Sequence, residues 1–410
     1  MPAGKHAEKH GEKPAAPSAG TAGATPARSG PAAARGRTAA FSAGHSCVDV
    51  YQGSVAALVP FLVAERGYGY AAASGIVLAA SLLSSVVQPL FGALADRRPM
   101  PWLIPLATAA AGLGVALVGL DAGYWATLAA VALSGLGVAA YHPAAARLVR
   151  TVGGAGHGAM SWFALGGNIG FACAPLLVAG ALSVSGPAGW WLLALPAALG
   201  VFLNRPPRPG RSAAGPNPGG QGGGTRPPGP EDLRAFLRLT LVVIVRSVVF
   251  IGLSTFIALY VRERGGSGTA GAVALFALFA GSAVGTLLGG RLATRWGRVT
   301  IVHRAYAAAG PAIAGVLFLP LPLVYVCAAL AAAALYVPFS LQVTLGQDYL
   351  PTRMGTASGV TLGLTVSVGG LTGPLIGAAA DASSLHTALL PLAVLPLAAW
   401  ALARRLPEPA

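Results

Sequence analysis

Two charged side chains inside long apolar stretches are the residues of this sequence best suited to chemistry. Asp49 lies about ten residues into the first apolar stretch, and Arg246 lies about ten residues into the seventh. A charge within a membrane-spanning helix costs at least about 2.5–3.5 kcal/mol, so such charges are usually paired and functional. A carboxylate can bind and release a proton, whereas a guanidinium keeps its charge and binds carboxylates or phosphonates. We therefore expect Asp49 to carry protons and Arg246 to bind a ligand, with the two side chains facing each other.

Simpler interpretations of these two charges remain open. The pair could be a static salt bridge that only ties two parts of the molecule together. Alternatively, Asp49 could lie near the membrane surface and remain hydrated.

Two histidines extend this group of ionisable residues. His142 stands between Tyr141 and Pro143, and His45 lies four residues before Asp49, which places both on one face of a helix. Imidazole titrates in the pH range that a proton-driven carrier uses. We expect His142, and secondarily His45, to take part in proton transfer, although ordinary packing explains a lone histidine equally well.

Uncharged polar side chains in apolar stretches are further candidates for a binding site. In hydrocarbon such groups need hydrogen-bond partners, which favours the interior of a helix bundle. Some should contact a ligand and the rest should join helices to one another. The residues that we expect to bind a ligand beside Arg246 are Gln52, Tyr141, Asn168 and Gln342.

The chain contains an internal repeat that must position these residues. The turn from Gly92 to Arg97 returns 198 positions later, from Gly290 to Arg295, and Tyr141-His142-Pro143 returns 195 positions later as Tyr336-Val337-Pro338. Asp49 and Arg246 are themselves separated by 197 positions. Repeats of this length in an apolar chain are typical of secondary transporters, whose two halves face each other across a path.

Composition indicates a membrane protein built only of helices. Charged residues make up 10% of the chain, hydrophobic residues 55%, and the mean hydropathy is +0.67, whereas soluble domains carry about 25% charged residues. Twelve apolar runs reach the roughly 20 residues that a bilayer crossing needs. We predict an all-α membrane protein with twelve transmembrane helices in two pseudo-symmetric six-helix bundles. The expected divisions are a disordered tail over 1–39, a first bundle over 40–204, a linker over 205–235, a second bundle over 236–404, and a tail over 405–410.

The distribution of basic residues predicts the orientation. All but four of the 27 Lys and Arg fall on one side when the N-terminus is placed in the cytoplasm; the exceptions are Arg66, Arg246, Arg262 and Arg264. The positive-inside rule therefore puts both termini in the cytoplasm. Basic loops beside an anionic leaflet also explain the net charge of +15, so we expect no nucleic-acid partner.

Several motifs identify a family resemblance. The turn Gly92-x-Leu94-Ala95-Asp96-Arg97 resembles the signature loop of the major facilitator superfamily, and the segment from Gly170 to Pro175 resembles its antiporter motif. The segments His45 to Gln52, Tyr141 to Pro143 and Gly346 to Pro351 are similar to the fosmidomycin-resistance family of efflux proteins. The resemblance implies a gating latch formed by Gly92, Asp96, Arg97 and Arg147, and helix-packing motifs at Gly170, Pro175, Gly369, Gly373 and Pro374.

Two departures from the family pattern affect these expectations. Members often carry Glu just after the His-Pro pair, and Ala144 stands there in this chain. Thr294 occupies the place in the second turn that Asp96 occupies in the first. We therefore expect a charged latch in the first half only.

The resemblance implies a proton-coupled secondary active transporter that exports a small polar or anionic antibiotic-like compound across the cytoplasmic membrane. The residues leave the direction open, so a proton-coupled uptake permease for an organic anion is the alternative. A non-transporting sensor or an intramembrane enzyme is a weaker one, because the sequence has no nucleophile motif, no clustered metal ligands and no nucleotide-binding Gly-x-x-x-x-Gly-Lys-Ser/Thr segment. We expect no catalytic residues, no metal, no cofactor other than coupling protons, and the lipid bilayer and a small-molecule substrate as partners. One chain already supplies both halves, so a monomer is expected.

Overall fold

The computed structural model describes residues 31–97, 100, 102–153, 157–185, 189–204, 231–361 and 365–409. These residues form helices joined by short turns. The first half contains α1 (Pro31–Arg66), α2 (Tyr70–Arg97), α3 (Leu103–Leu117), α4 (Tyr124–Gly153), α5 (His157–Ser185), α6 (Gly189–Leu192) and α7 (Leu195–Leu203). The second half contains α8 (Leu233–Glu263), α9 (Gly268–Trp296), α10 (Arg298–Phe318), α11 (Leu321–Tyr336), α12 (Phe339–Tyr349), α13 (Met354–Gly359), α14 (Thr365–Ala382) and α15 (Leu385–Ala403).

The helices confirm the predicted membrane architecture. Ten helical stretches of the described chain are long and apolar enough to cross a bilayer, with α11 and α12 counting as one. The sixth crossing falls on the shorter apolar stretch Gly189–Leu203, and we assign the eleventh crossing to α14, which has 18 residues. The chain is thus an all-α membrane protein with six crossings in each half.

Two helices include residues of the predicted tail or the predicted linker. Helix α1 is described from Pro31 onward, inside the predicted tail. Helix α8 begins at Leu233, inside the predicted linker, where the carboxylate of Asp232 accepts a hydrogen bond from the backbone N–H of Ala235 at 2.9 Å. The remaining parts of the predicted tail and linker, residues 1–30 and 205–230, lie outside the described residues.

Glycines allow the helices to pack backbone against backbone. Gly170 of α5 lies directly against the carbonyl of Ser46 in α1, and Gly369 of α14 lies against Ser247 of α8, so neither position has room for a side chain. Gly373 is less crowded, with Ser74 3.7 Å from where a Cβ would stand. Pro175 lies inside α5, as does Gly170, and Pro374 lies inside α14, as do Gly369 and Gly373.

The two halves meet at the end of the molecule where α2 begins. The carboxylate of Asp381, at the end of α14, accepts hydrogen bonds from the backbone N–H groups of Tyr70 (2.8 Å) and Ala71 (3.0 Å). The hydroxyl of Tyr70 donates to Glu263, and the guanidinium of Arg262 donates to the carbonyl of Pro60 at 3.0 Å. We call this set the Asp381 contact. It joins the two halves at this end of the molecule.

Candidate functional site

Asp49 lies between two histidines in the first half. Its Oδ2 is 3.2 Å from Nε2 of His45, and its Oδ1 is 3.2 Å from Nε2 of His142. The two Nε2 atoms are 3.3 Å apart. We call these three side chains the Asp49 triad, and the structure thus brings together the three residues that the sequence predicts for proton coupling.

Three helices build the triad. The spacing of four residues puts His45 and Asp49 on one face of α1, and α4 supplies His142. Gly167 of α5 completes the site, because a Cβ at this position would lie 2.5 Å from Oδ2 of Asp49 and 2.5 Å from Cε1 of His45. A glycine at 167 is therefore what lets α5 close over the triad.

Backbone carbonyls fix the orientation of both imidazole rings. Nδ1 of His45 lies 2.7 Å from the carbonyl oxygen of Phe163, whose ring stacks on the imidazole with centroids 3.9 Å apart. Nδ1 of His142 lies 2.8 Å from the carbonyl oxygen of Val138. A carbonyl oxygen only accepts hydrogen bonds, so each Nδ1 carries the proton and each neutral ring presents an Nε2 lone pair to Asp49.

The triad consequently needs a cation at its centre. With both imidazoles neutral and Asp49 ionised, only lone pairs would meet across distances of 3.2 and 3.3 Å. One proton on either Nε2 or on the carboxylate converts this repulsion into hydrogen bonding. Two imidazoles and a carboxylate are also a donor set that could hold a metal ion, with ligand atoms within 4.8 Å of one another, although the sequence predicts no metal site.

Arg246 does not pair with Asp49, contrary to the sequence prediction. The guanidinium is buried, with 3% of the residue exposed, and its Nε and Nη1 atoms have no hydrogen-bond partner. It lies over the rings of Tyr336 and Phe339, at 5.3 and 4.8 Å from their centroids. The pair does not form because each charge has partners in its own half: histidines hold Asp49, and aromatic faces stabilise the cation.

A cavity of about 300 Å³ lies between the halves, and Arg246 forms part of its wall. Gln52 and Val138 line it from the first half, while Phe250 and Phe279 line it from the second. Gln52 follows Asp49 by three residues and Val138 precedes His142 by four. The triad is therefore about one helical turn, or about 5 Å along α1 and α4, from the cavity.

Three of the predicted ligand-binding residues do not line this cavity. Tyr141 is fully buried and its hydroxyl donates to Oδ1 of Asn204 at 3.3 Å. Gln342 is also buried, and its Nε2 donates to the hydroxyl of Tyr306 at 2.8 Å. Asn168 lies half-buried on α5, next to Gly167 and away from the cavity wall. In this structure Tyr141 and Gln342 make hydrogen bonds within one half, although Oε1 of Gln342 has no partner, so their part in ligand binding stays a prediction. Of the predicted set, Arg246 and Gln52 line the cavity.

The side chains of the predicted gating latch lie outside the described part of the structure. Gly92, Asp96 and Arg97 belong to the last turns of α2, and Arg147 belongs to α4. Their role stays a prediction.

A charged cluster is present in the second half, where the sequence predicts none. Arg298, the first residue of α10, pairs with Asp348 at the end of α12 and with Glu408, whose Oε1 is 3.2 Å from its Nε. Oε2 of Glu408 also accepts a hydrogen bond from the backbone N–H of Val299 at 2.7 Å. Both acidic residues are remote from the second turn in sequence, which is why comparing the two turns at Asp96 and Thr294 misses the cluster.

Comparison with known proteins agrees with this architecture. The model of the Major Facilitator Superfamily matches residues 41–374. The fosmidomycin resistance protein of Escherichia coli (strain K12) is 29% identical over 364 residues, which cover 87% of this chain and 89% of that protein. The uncharacterized MFS-type transporter YfnC of Bacillus subtilis (strain 168) is 29% identical over 365 residues, covering 86% of this chain and 88% of that protein. The crystal structure of the nucleoside transporter NupG has the same fold, with a TM-score of 0.74 at 11% identity, over 91% of this chain and 99% of that one. The chain therefore belongs to the Major Facilitator Superfamily and is a multi-pass membrane transporter rather than an enzyme.

Proposed function

We propose that this protein is a proton-coupled secondary active transporter that exports a small anionic, antibiotic-like compound across the cytoplasmic membrane. The observation that carries the proposal is the guanidinium of Arg246 in the wall of the central cavity. It is buried, and two of its nitrogens have no hydrogen-bond partner. A buried cation without a counter-ion is costly unless an anion pairs with it. A carboxylate or phosphonate on the substrate would supply that counter-ion.

The Asp49 triad supplies the proton site of this proposal. Without an added cation its three groups repel one another, and with one proton they form hydrogen bonds, so the triad gains and loses protons at a defined place. The side chain of His142 is 23% exposed and that of Asp49 is 12% exposed, so His142 is the more accessible of the two. The triad contacts α1, α4 and α5 together, and its protonation therefore affects how these helices pack. Such a site can link proton binding to movement of the first half.

The charges of the triad and of Arg246 also affect the expected direction of transport. An anion bound at Arg246 adds negative charge near the triad and favours proton binding, which is the coupling expected of uptake by symport. Because anion binding and proton binding favour each other in this arrangement, the arrangement favours the alternative, an uptake permease for an organic anion. Export, in contrast, is assisted by the membrane potential, which is worth about 2.3 kcal/mol per charge per 100 mV to an anion leaving a negative interior. The likeness to the fosmidomycin resistance protein supports export.

The orientation that we propose has both termini in the cytoplasm. Arg298 and Glu408 then lie on the cytoplasmic side, and the Asp381 contact lies on the outer side. The triad lies on the cytoplasmic side of the cavity, since Asp49 precedes Gln52 along α1. Contacts that join the halves on the outer side suit a carrier that collects its substrate from the cytoplasm.

Flux into proteoliposomes of known orientation tests the proposal. Radiolabelled fosmidomycin and a radiolabelled aromatic sulfonate would each be followed under proton gradients of either sign and with the membrane potential clamped to zero. Movement of substrate against the direction of proton flow supports export by antiport, and movement with the proton supports the uptake alternative. No gradient-dependent flux, with an Arg246→Gln variant behaving like the parent protein, would refute an anion carrier that uses Arg246.

A further inference from the structure

The wall of the central cavity is mostly apolar, and this restricts the substrate. Phe171 of α5 and Phe279 of α9 have ring centroids 4.2 Å apart, so their contact joins the two halves. Phe250 continues the surface, with its ring 6.2 Å from Phe279 and 4.5 Å from Tyr336. Tyr336 in turn lies under the guanidinium of Arg246. These four rings form one aromatic row, which we call the aromatic surface, and it ends at the buried cation. Phe279 is only 1% exposed, so the half-buried rings of Phe171 and Tyr336 present most of this surface to the cavity.

The polar groups of the wall offer few hydrogen bonds to a ligand. The hydroxyl of Ser254 donates to the carbonyl of Ile251 at 3.1 Å. The hydroxyl of Tyr51 donates to the carbonyl of Leu193 at 2.8 Å and accepts from the N–H of Ala197 at 2.6 Å. Gln52 is exposed on the wall, and Arg246 is the charged residue of the lining. The hydroxyl of Ser134 also lines the wall and has no hydrogen-bond partner. A ligand with more hydroxyl or amide groups than these few side chains can bind would leave some of them without partners, which disfavours its binding.

We infer that the cavity takes a small organic monoanion whose body is aromatic or otherwise apolar, with its anionic head on Arg246 and its body on the aromatic surface. This inference rests on the proposed anion transport and names its substrate class. The volume of about 300 Å³ lies at the lower end of ligand pockets, which favours one or two rings over a larger compound. A compact, strongly hydrophilic phosphonate would use Arg246 and leave the aromatic surface without contact.

Sulfonates that share one head group test the inference. They stay ionised at all relevant pH values, so they do not leak through the bilayer as neutral acids. The probes are 2-naphthalenesulfonate, methanesulfonate and the neutral naphthalene-2-sulfonamide, with fosmidomycin as the hydrophilic phosphonate. Binding to the purified full-length protein is measured by calorimetry, and counterflow is measured in proteoliposomes.

We expect 2-naphthalenesulfonate to bind at least about tenfold more tightly than methanesulfonate or fosmidomycin, because burial of the rings favours binding. Phe171→Ala should remove most of that difference, because this half-buried ring lines the cavity, whereas Phe202→Ala, at a phenylalanine that is 59% exposed and outside the cavity, should leave it unchanged. Arg246→Gln should weaken both sulfonates and leave the weak binding of the sulfonamide unaltered.

The outcomes separate this inference from the proposed function. Fosmidomycin or methanesulfonate binding as tightly as 2-naphthalenesulfonate would overturn the substrate class while leaving anion transport intact. Equal binding of the sulfonamide and the sulfonate would overturn the role of Arg246 in both proposals. Tight binding of 2-naphthalenesulfonate without counterflow would contradict transport and leave the ligand class standing.

Discussion

A double-mutant cycle distinguishes the two electrostatic partners that Asp49 could have. The structure places Asp49 beside His142, with Oδ1 3.2 Å from Nε2, and gives it no ion pair with Arg246. Asp49→Asn, His142→Gln and Arg246→Gln keep side-chain size approximately constant, so each removes charge with little loss of packing. Each double variant with Asp49→Asn then measures one interaction.

The structure sets the size of the expected coupling. Asp49 and His142 have side chains that are 12% and 23% exposed, so solvent screens their interaction only partly. Contacting residues in one network couple by about 0.5–3 kcal/mol, and we expect about 1–2 kcal/mol for this pair. Asp49 and Arg246 share no hydrogen-bond or ion-pair partner among the described residues, and we expect their effects to add within about 0.5 kcal/mol.

Thermal unfolding in detergent, at pH 6 and pH 8, measures both couplings. The attraction between Asp49 and His142 requires a proton on the triad, so this coupling should be larger at pH 6. A coupling between Asp49 and Arg246 that equals or exceeds the one between Asp49 and His142 would refute the assignment of partners. Additive effects in both pairs would refute the triad itself.

Four further changes have defined outcomes. Asp49→Asn should reduce gradient-driven transport to the level of empty liposomes while counterflow survives; normal accumulation would exclude Asp49 as the proton carrier. Gly167→Ala should destabilise the protein by about 1–3 kcal/mol, because the added methyl group crowds the triad. Gly180→Ala in the same helix, where a Cβ meets no atom within 4 Å, should leave stability unchanged or raise it by up to about 1 kcal/mol. Equal unfolding temperatures of the two variants would contradict the packing described for Gly167. Asp381→Ala should increase labelling of a cavity cysteine from the outside, and Asp381→Asn should do so less because its amide oxygen still accepts one hydrogen bond; unchanged labelling would mean that the contact does not hold this end closed. A reporter fused at Asp121 should be extracellular, and a cytoplasmic signal would reverse the proposed orientation.

The architecture could be predicted from the sequence because it depends on patterns that lie along the chain. The apolar runs and the repeated turns at Gly92 and Gly290 are local signals, and they define the two six-helix halves. The pairing of His45 with Asp49 also follows from a helical spacing of four. None of these inferences requires knowing which helices are neighbours.

The contacts between helices could not be predicted in the same way. The partnership of Asp49 with His142 depends on the packing of α4 and α5 around α1, which Gly167 permits. Arg246 lies as far into its apolar stretch of the second half as Asp49 does in the first. This equal depth in the membrane is the basis for predicting an ion pair across the halves. The aromatic rings that stabilise its charge gave no signal in the sequence, since phenylalanine and tyrosine are ordinary residues of apolar helices. The bond of Asp381 to the start of α2 joins positions 311 residues apart and has no motif.

The equivalence of Asp49 and Arg246 shows how a duplicated protein can specialise. In the first half Asp49, on α1, lies against the histidine of Tyr141-His142-Pro143. In the second half Arg246, on α8, lies against the tyrosine of Tyr336-Val337-Pro338. The two equivalent positions thus carry an acid in one half and a permanently charged cation in the other. An assembly of two copies of the same half would carry two acids or two cations at these positions. Under the proposed function the proton site and the anion site belong to different halves, so replacing one half by a second copy of the other would remove one of the two sites.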